Sequence, residues 1–120
     1  MIAKGDAVHE LSLCEAIADS VSRHASGRHV RRASVRIGHL RQVVPESMSF
    51  CWEVLTDGTD LAGCELDIEH VPAIVACGQC GEVTTLTLPV LLCGSCGSIE
   101  VALESGDEML LVSIDLAGVP

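Results

Sequence analysis

The chain has 120 residues, 48% of them hydrophobic, which is room for one ordinary domain or for a small domain with a metal-held appendage. Its formal charge is −10, and all seven basic residues lie between Lys4 and Arg41, so phosphate backbones and anionic lipid are poor partners. No apolar run is long enough to span a bilayer, and Met1 to Val8 hold no hydrophobic segment of secretory type, so a cytoplasmic protein is expected.

In chain order, Ser12 and Glu15 form an S-x-x-E capping box, which predicts a helix beginning there. Leu11, Cys14, Ile17, Ala18 and Val21 recur at helical spacing, and Gly27 ends the element. From Arg31 to Gly38 the period changes to two, with Ala33, Val35 and Ile37 on one face of a half-buried strand. Pro45 and Glu46 open a second helix whose apolar stripe is Met48, Cys51, Trp52 and Leu55, and Asp57-Gly58 breaks it. Cys64, Leu66 and Ile68 alternate with acidic residues in a second strand, and Pro72 punctuates its end. Val83 to Leu88 and Ile99 to Leu103 read as short strands. Met109 to Leu116, with Leu110, Val112, Ile114 and Leu116 on one face, reads as a strand returning to the first sheet.

The strongest motif is a pair of matching knuckles, Cys77-Gly78-Gln79-Cys80-Gly81 and Cys93-Gly94-Ser95-Cys96-Gly97. Each C-x-x-C puts two thiolates on one tight turn, and the twelve residues between the pairs allow a hairpin excursion, so four sulfurs can meet on one tetrahedral ion. A glycine after each second cysteine can take φ > 0 and let backbone N–H groups turn toward the sulfurs. Structural zinc is the expected occupant, and seven cysteines with four at metal spacing suit a reducing compartment. A stretch of this size has too little apolar surface to fold without the metal.

A site closed by four thiolates keeps no open position for catalysis, so the ribbon reads as a staple. Nucleic-acid binding is disfavoured because Val71 to Glu104 contain no Lys or Arg. A rubredoxin-like iron carrier is an alternative that visible absorbance would separate from colourless zinc. Cys14, Cys51 and Cys64 are in phase with apolar neighbours and read as buried small hydrophobes. His24 and His29 read as solvated, and His39 and His70, near strand ends, receive no role. No Ser-His-Asp order, phosphate loop or carboxylate pair points to an enzyme.

Val8-His9-Glu10-Leu11-Ser12-Leu13-Cys14-Glu15-Ala16-Ile17 resembles the opening Met-His-Glu-Leu-Ser segment of the HypA/HybF family, the nickel metallochaperones of hydrogenase maturation. The resemblance runs on through Val35-Arg36-Ile37-Gly38-His39-Leu40, Val44-Pro45-Glu46-Ser47-Met48-Ser49-Phe50-Cys51, Gly63-Cys64-Glu65-Leu66, both knuckles and Ser105-Gly106-Asp107-Glu108-Met109. It implies an α+β fold: a small mixed sheet with two helices, plus a four-cysteine zinc ribbon with rubredoxin-like knuckles. The expected parts are a nickel-binding domain over residues 8–70, completed by a strand over 107–117, and a zinc ribbon over 71–105.

By the same resemblance Cys77, Cys80, Cys93 and Cys96 hold zinc, His9 ligates nickel as cargo, and Glu10 assists or supports it. The implied partners are the HypB GTPase and the hydrogenase large subunit. The implied nickel site combines a terminal amine, a backbone nitrogen and the imidazole, a nitrogen-rich set that suits Ni(II) and also Cu(II). The family pattern places the histidine second, whereas His9 here follows eight residues. The expectation is that Val8 marks the initiation site, a GUG codon, and intact mass of the protein from its native gene tests it. The competing class is an interaction module in which the ribbon docks a protein and carries no metal cargo.

Overall fold

A computed structural model describes residues 6–118, with side chains from His9 onward. The expectations about a leader and about initiation at Val8 concern residues and side chains outside the described ones. The elements are α1 (Asp6–Ala25), β1 (Val30–Gly38), a 3-10 turn (His39–Arg41), α2 (Pro45–Thr56), β2 (Glu65–Val71), β3 (Ala73–Cys77), β4 (Val83–Leu86), β5 (Val101–Ser105) and β6 (Met109–Leu116). The strands form two three-stranded sheets, ordered β2-β1-β6 and β4-β3-β5. Two helices, small sheets and a four-cysteine cluster make this the α+β protein the sequence implies.

The chain divides into two units: one of Met1–Val35, Val43–Glu69 and Leu110–Pro120, the other of Arg36–Gln42 and His70–Met109. In the first, α1 packs on α2, and the buried side chains include Cys14, Ile17 and Val21 of α1, Val30, Ala33 and Val35 of β1, and Met48, Cys51 and Trp52 of α2. Pro45 sits in the first turn of α2, where its missing N–H costs nothing. Phe50 is 67% exposed, which leaves Trp52 as the one large aromatic of this core. The Trp52 indole N–H donates to the Cys64 carbonyl at 2.8 Å, so its burial leaves no unpaired donor.

The start of α1 differs from the sequence expectation. The helix begins at Asp6, and Ser12 lies exposed in its interior, where no orphan N–H needs the capping box. The inward stripe runs Glu10, Cys14, Ile17, Val21 and Ala25, with Leu11 38% exposed, so the buried face starts a turn earlier and carries a carboxylate at its head. Strand lengths also differ. Val83 to Leu88 shortens to Val83–Leu86 with Leu88 solvent-exposed, and Ile99, the expected first residue of its strand, is exposed ahead of Val101–Ser105. Along β6, Leu110 and Val112 are half exposed while Ile114 and Leu116 are half-buried.

β3 is a strand that the sequence reading passed over. It is the centre of the second sheet, pairing antiparallel with β4 (Ala73 opposite Leu86, Ala76 opposite Val83) and with β5 (Cys77 opposite Val101). Ala73, Val75 and Leu86 are the buried cluster of this unit, with Leu40 and Val101 packed against it.

Burial pushes the Cys14 thiol up to about 12, helped by the neighbouring Cys51 and by Glu10. Its ordinary value is 9.0, so the unfolded chain loses this proton first as pH rises. The Cys14 contribution is therefore complete below pH 9 and is lost as pH climbs toward 12. Urea midpoints measured from pH 7 to 10.5 should fall above pH 9, and fall less in Cys14→Ala. Equal slopes would contradict the assignment.

Candidate metal centres

The two knuckles are built alike. Cys77 closes β3, its N–H donates to the Glu82 carbonyl at 2.9 Å, and Gly81 N–H returns to the Cys77 carbonyl at 3.1 Å. In the second knuckle Cys93 N–H donates to Ser98 at 2.9 Å and Gly97 N–H to Cys93 at 3.0 Å. Gly81 and Gly97 take φ of 80° and 77°, the left-handed turn that the sequence placed after each second cysteine. Gln79 and Cys80 N–H groups donate to Cys77 Sγ at 3.3 and 3.4 Å, and Ser95 and Cys96 N–H groups donate to Cys93 Sγ at the same distances.

All four sulfurs lie within 4.8 Å of one another, with Cys77 to Cys96 and Cys80 to Cys93 both at 3.6 Å. Four thiolates at metal–sulfur distances of about 2.3 Å on a tetrahedron stand about 3.8 Å apart. The separation is far beyond a disulfide, and all seven cysteines are free thiols. Among the described residues this is the one group of three or more His, Cys, Asp or Glu side chains whose ligand atoms converge.

The electrostatics divide the four. Cys93 is held down at about 6 by the N–H groups of Cys96 and Ser95, and Cys77 is lowered chiefly by the Cys80 N–H. Cys80 receives help from the Glu82 N–H, yet desolvation and the neighbouring thiols push it up to about 12. Cys96 is also raised, the Cys77 thiol and desolvation outweighing the Ser98 N–H. Four sulfurs this close cannot all ionise unless a cation shares the site, and a divalent ion supplies that charge. The donor set fits Zn²⁺: four thiolates, preset N–H donors, no vacant position.

His9 and Glu10 are neighbours on α1 and point apart, since successive helical residues differ by about 100° in direction. His9 is exposed, on the helix and not ahead of it as the sequence reading had it. Glu10 is fully buried, and one of its oxygens accepts the N–H of Val44, the residue that caps α2. Val44 offers no side-chain cap, so the Glu10 carboxylate does that work across the helix pair, and its negative charge suits a helix N-terminus. Its other oxygen, Oε1, is buried without a hydrogen-bond partner among the described residues. The sequence reading missed this anchoring role, although Glu10 stands four residues before Cys14 and so in phase with the buried stripe. His24 and His29 are exposed, as expected. A groove of the first unit, about 870 Å³ and lined by Arg32, Trp52, Glu53, Asp57 and Glu65 among others, contains neither His9 nor a ribbon cysteine.

The family described as hydrogenase/urease nickel incorporation, metallochaperone, hypA, matches residues 8–116. The hydrogenase maturation factor HypA of Chlorobium limicola is 37% identical over 113 residues, covering 91% of this chain and 97% of that protein. That of Nostoc sp. is 34% identical over 109 residues, covering 91% and 96%. The solution structure of the Ni metallochaperone HypA from Helicobacter pylori shares the fold, with a TM-score of 0.61 at 22% identity over 89% of this chain and 96% of that one. The chain belongs to the HypA family of nickel-incorporation metallochaperones. Membership disfavours the alternative of a plain zinc-ribbon docking module. It also places the chain in hydrogenase maturation. No helix among the described residues is long and apolar enough to cross a membrane.

Proposed function

We propose that the chain carries Ni(II) at an amino-terminal site that includes the His9 imidazole, while Zn²⁺ on Cys77, Cys80, Cys93 and Cys96 holds the ribbon in shape. In this reading residues 8–70 with 107–117 form the nickel-binding part, and 71–105 the zinc ribbon. The chain acts in the cytoplasm as a carrier and not as a catalyst. A HypB-type GTPase and the hydrogenase large subunit are its partners.

The supporting observation is the contrast between the two places. The sulfur cluster is closed and internally hydrogen-bonded, which suits a resident ion. His9 is exposed on a helix whose next residue is anchored, so a cargo ion can reach it and leave again. Nitrogen ligation suits Ni(II), and acid would displace the metal by protonating the imidazole. Zinc supplies shape, and the chain's own part is to present His9 and to keep α1 and α2 locked through Glu10.

Nickel titration of the metal-loaded protein tests this reading against His9→Ala. The variant should keep its zinc and its amide spectrum and lose the tight phase of nickel uptake by tenfold or more, on the order of what metal-site substitutions cost. Equal affinity and stoichiometry in both proteins would remove His9 from the site. A chain initiated at position 8 placed beside the 120-residue chain measures what an adjacent α-amine adds.

A further inference from the structure

Two histidines without a part in the sites above meet in the second unit. His39 opens the 3-10 turn after β1, and His70 lies near the end of β2. Nδ1 of His39 stands 3.2 Å from Nε2 of His70, with ring centroids 5.3 Å apart and planes at 88°. The other nitrogen of His39, Nε2, lies 3.1 Å from the Thr87 carbonyl oxygen. A carbonyl only accepts, so Nε2 carries the proton of the neutral ring, and Nδ1 turns a lone pair toward His70.

A ring N–H tied to a carbonyl, with the opposite nitrogen presenting its lone pair, is the arrangement that prepares an imidazole to bind a metal. Here that lone pair accepts the His70 Nε2 proton, which a bound ion would replace. Two cis nitrogens at metal–nitrogen distances of 2.0–2.1 Å stand about 2.9 Å apart at a right angle and about 3.3 Å apart on a tetrahedron. The observed separation falls between these values. Backbone holds the His39 side in place: Gly38 N–H donates to the Glu108 carbonyl and Leu40 N–H to that of Gly106, both at 2.8 Å. His70 is exposed, so its ring can turn to admit an ion and water has access to complete the shell. The unit as a whole is acidic, holding Arg36 and Arg41 against Glu82, Glu100, Glu104, Asp107 and Glu108, so its net charge does not oppose a cation.

We propose that His39 and His70 form a second site for a borderline divalent transition ion, through Nδ1 and Nε2 as cis ligands with water in the remaining positions. It is separate from the four-sulfur cluster and from His9, and with two protein ligands it binds more weakly than a site with more. Such a site would hold a cargo ion in transit.

The test uses the full-length His9→Ala protein with its cysteine cluster metal-loaded, so its outcome does not depend on the amino-terminal reading, and Ni²⁺ alone is the probe. Equilibrium dialysis should show one further equivalent of nickel, and ring ¹H–¹⁵N signals of His39 and His70 should broaden before those of other histidines. Adding His70→Ala should weaken that uptake by at least about tenfold with the amide spectrum otherwise unchanged. No nickel beyond the cysteine cluster, uptake indifferent to His70→Ala, or broadening centred on His24 or His29 would each overturn the proposal.

Discussion

Stripping the metal from Cys77, Cys80, Cys93 and Cys96, or replacing Cys93 by Ser, is expected to unfold the ribbon while the helical core stands. The ribbon's buried cluster is Ala73, Val75 and Leu86, of which only two are larger than alanine. Fully burying a Val or Leu side chain contributes about 1.5–3 kcal/mol. Metal binding by short zinc-finger peptides contributes on the order of 10–16 kcal/mol, so the ion decides the outcome. Serine cannot replace Cys93, because a hydroxyl keeps its proton and is a poor ligand for a borderline-soft ion. The helical unit has its own core and holds the only tryptophan, Trp52, which is 2% exposed. Chelation should therefore collapse the amide dispersion of residues 73–105 and leave Trp52 emission blue. Retained ribbon dispersion after complete chelation would show that the apolar cluster suffices.

The second large effect concerns two glycines outside the knuckles. A Cβ on Gly38 would lie 2.0 Å from the Gly106 carbonyl oxygen, and one on Gly106 would lie 2.4 Å from Ala73 Cα. These neighbours are backbone atoms, which cannot swing aside as a side chain can. Gly38 has ordinary extended angles, φ −73° and ψ 150°, so its requirement is packing alone. Gly106 adds a positive φ of 120°. Either alanine substitution should cost roughly 3–5 kcal/mol or prevent folding of this unit, the range of severe overpacking. Gly27→Ala, at φ +85° with nothing within 4 Å of a Cβ, should cost only about 1–2 kcal/mol. Thermal melts of the three variants check the order. A Gly38→Ala protein as stable as Gly27→Ala would refute the close approach. The same contact positions His39, so Gly38→Ala should also weaken nickel uptake at the His39 and His70 pair.

Much of the molecule was legible because its patterns are local. The period-two run Ala33, Val35, Ile37 and the helical stripe Met48, Cys51, Trp52 name their elements, and the buried residues agree. The knuckles are local too, since C-x-x-C with a following glycine carries its own hydrogen bonds. What escaped was set by distant partners. β3 is five residues of mixed Ala, Ile, Val and Cys without clear alternation, and it becomes a central strand only through β4 and β5 on either side. Ile99 and Leu88 look like strand residues by composition but have no ladder partner, so they stay exposed.

The site divides in the same way. Sequence spacing alone determined the four-sulfur cluster, because each knuckle is a five-residue structure that repeats, whereas His9 drew notice only through the family resemblance of its segment. Helical phase places Glu10 inward, but tertiary structure alone decided that it caps α2 from 34 residues away, and that His39 meets His70 across 31. A carboxylate or an imidazole has no periodicity of its own. Its role depends on which lone pair or N–H the folded chain brings within 3 Å or so, and no run of neighbouring residues encodes that.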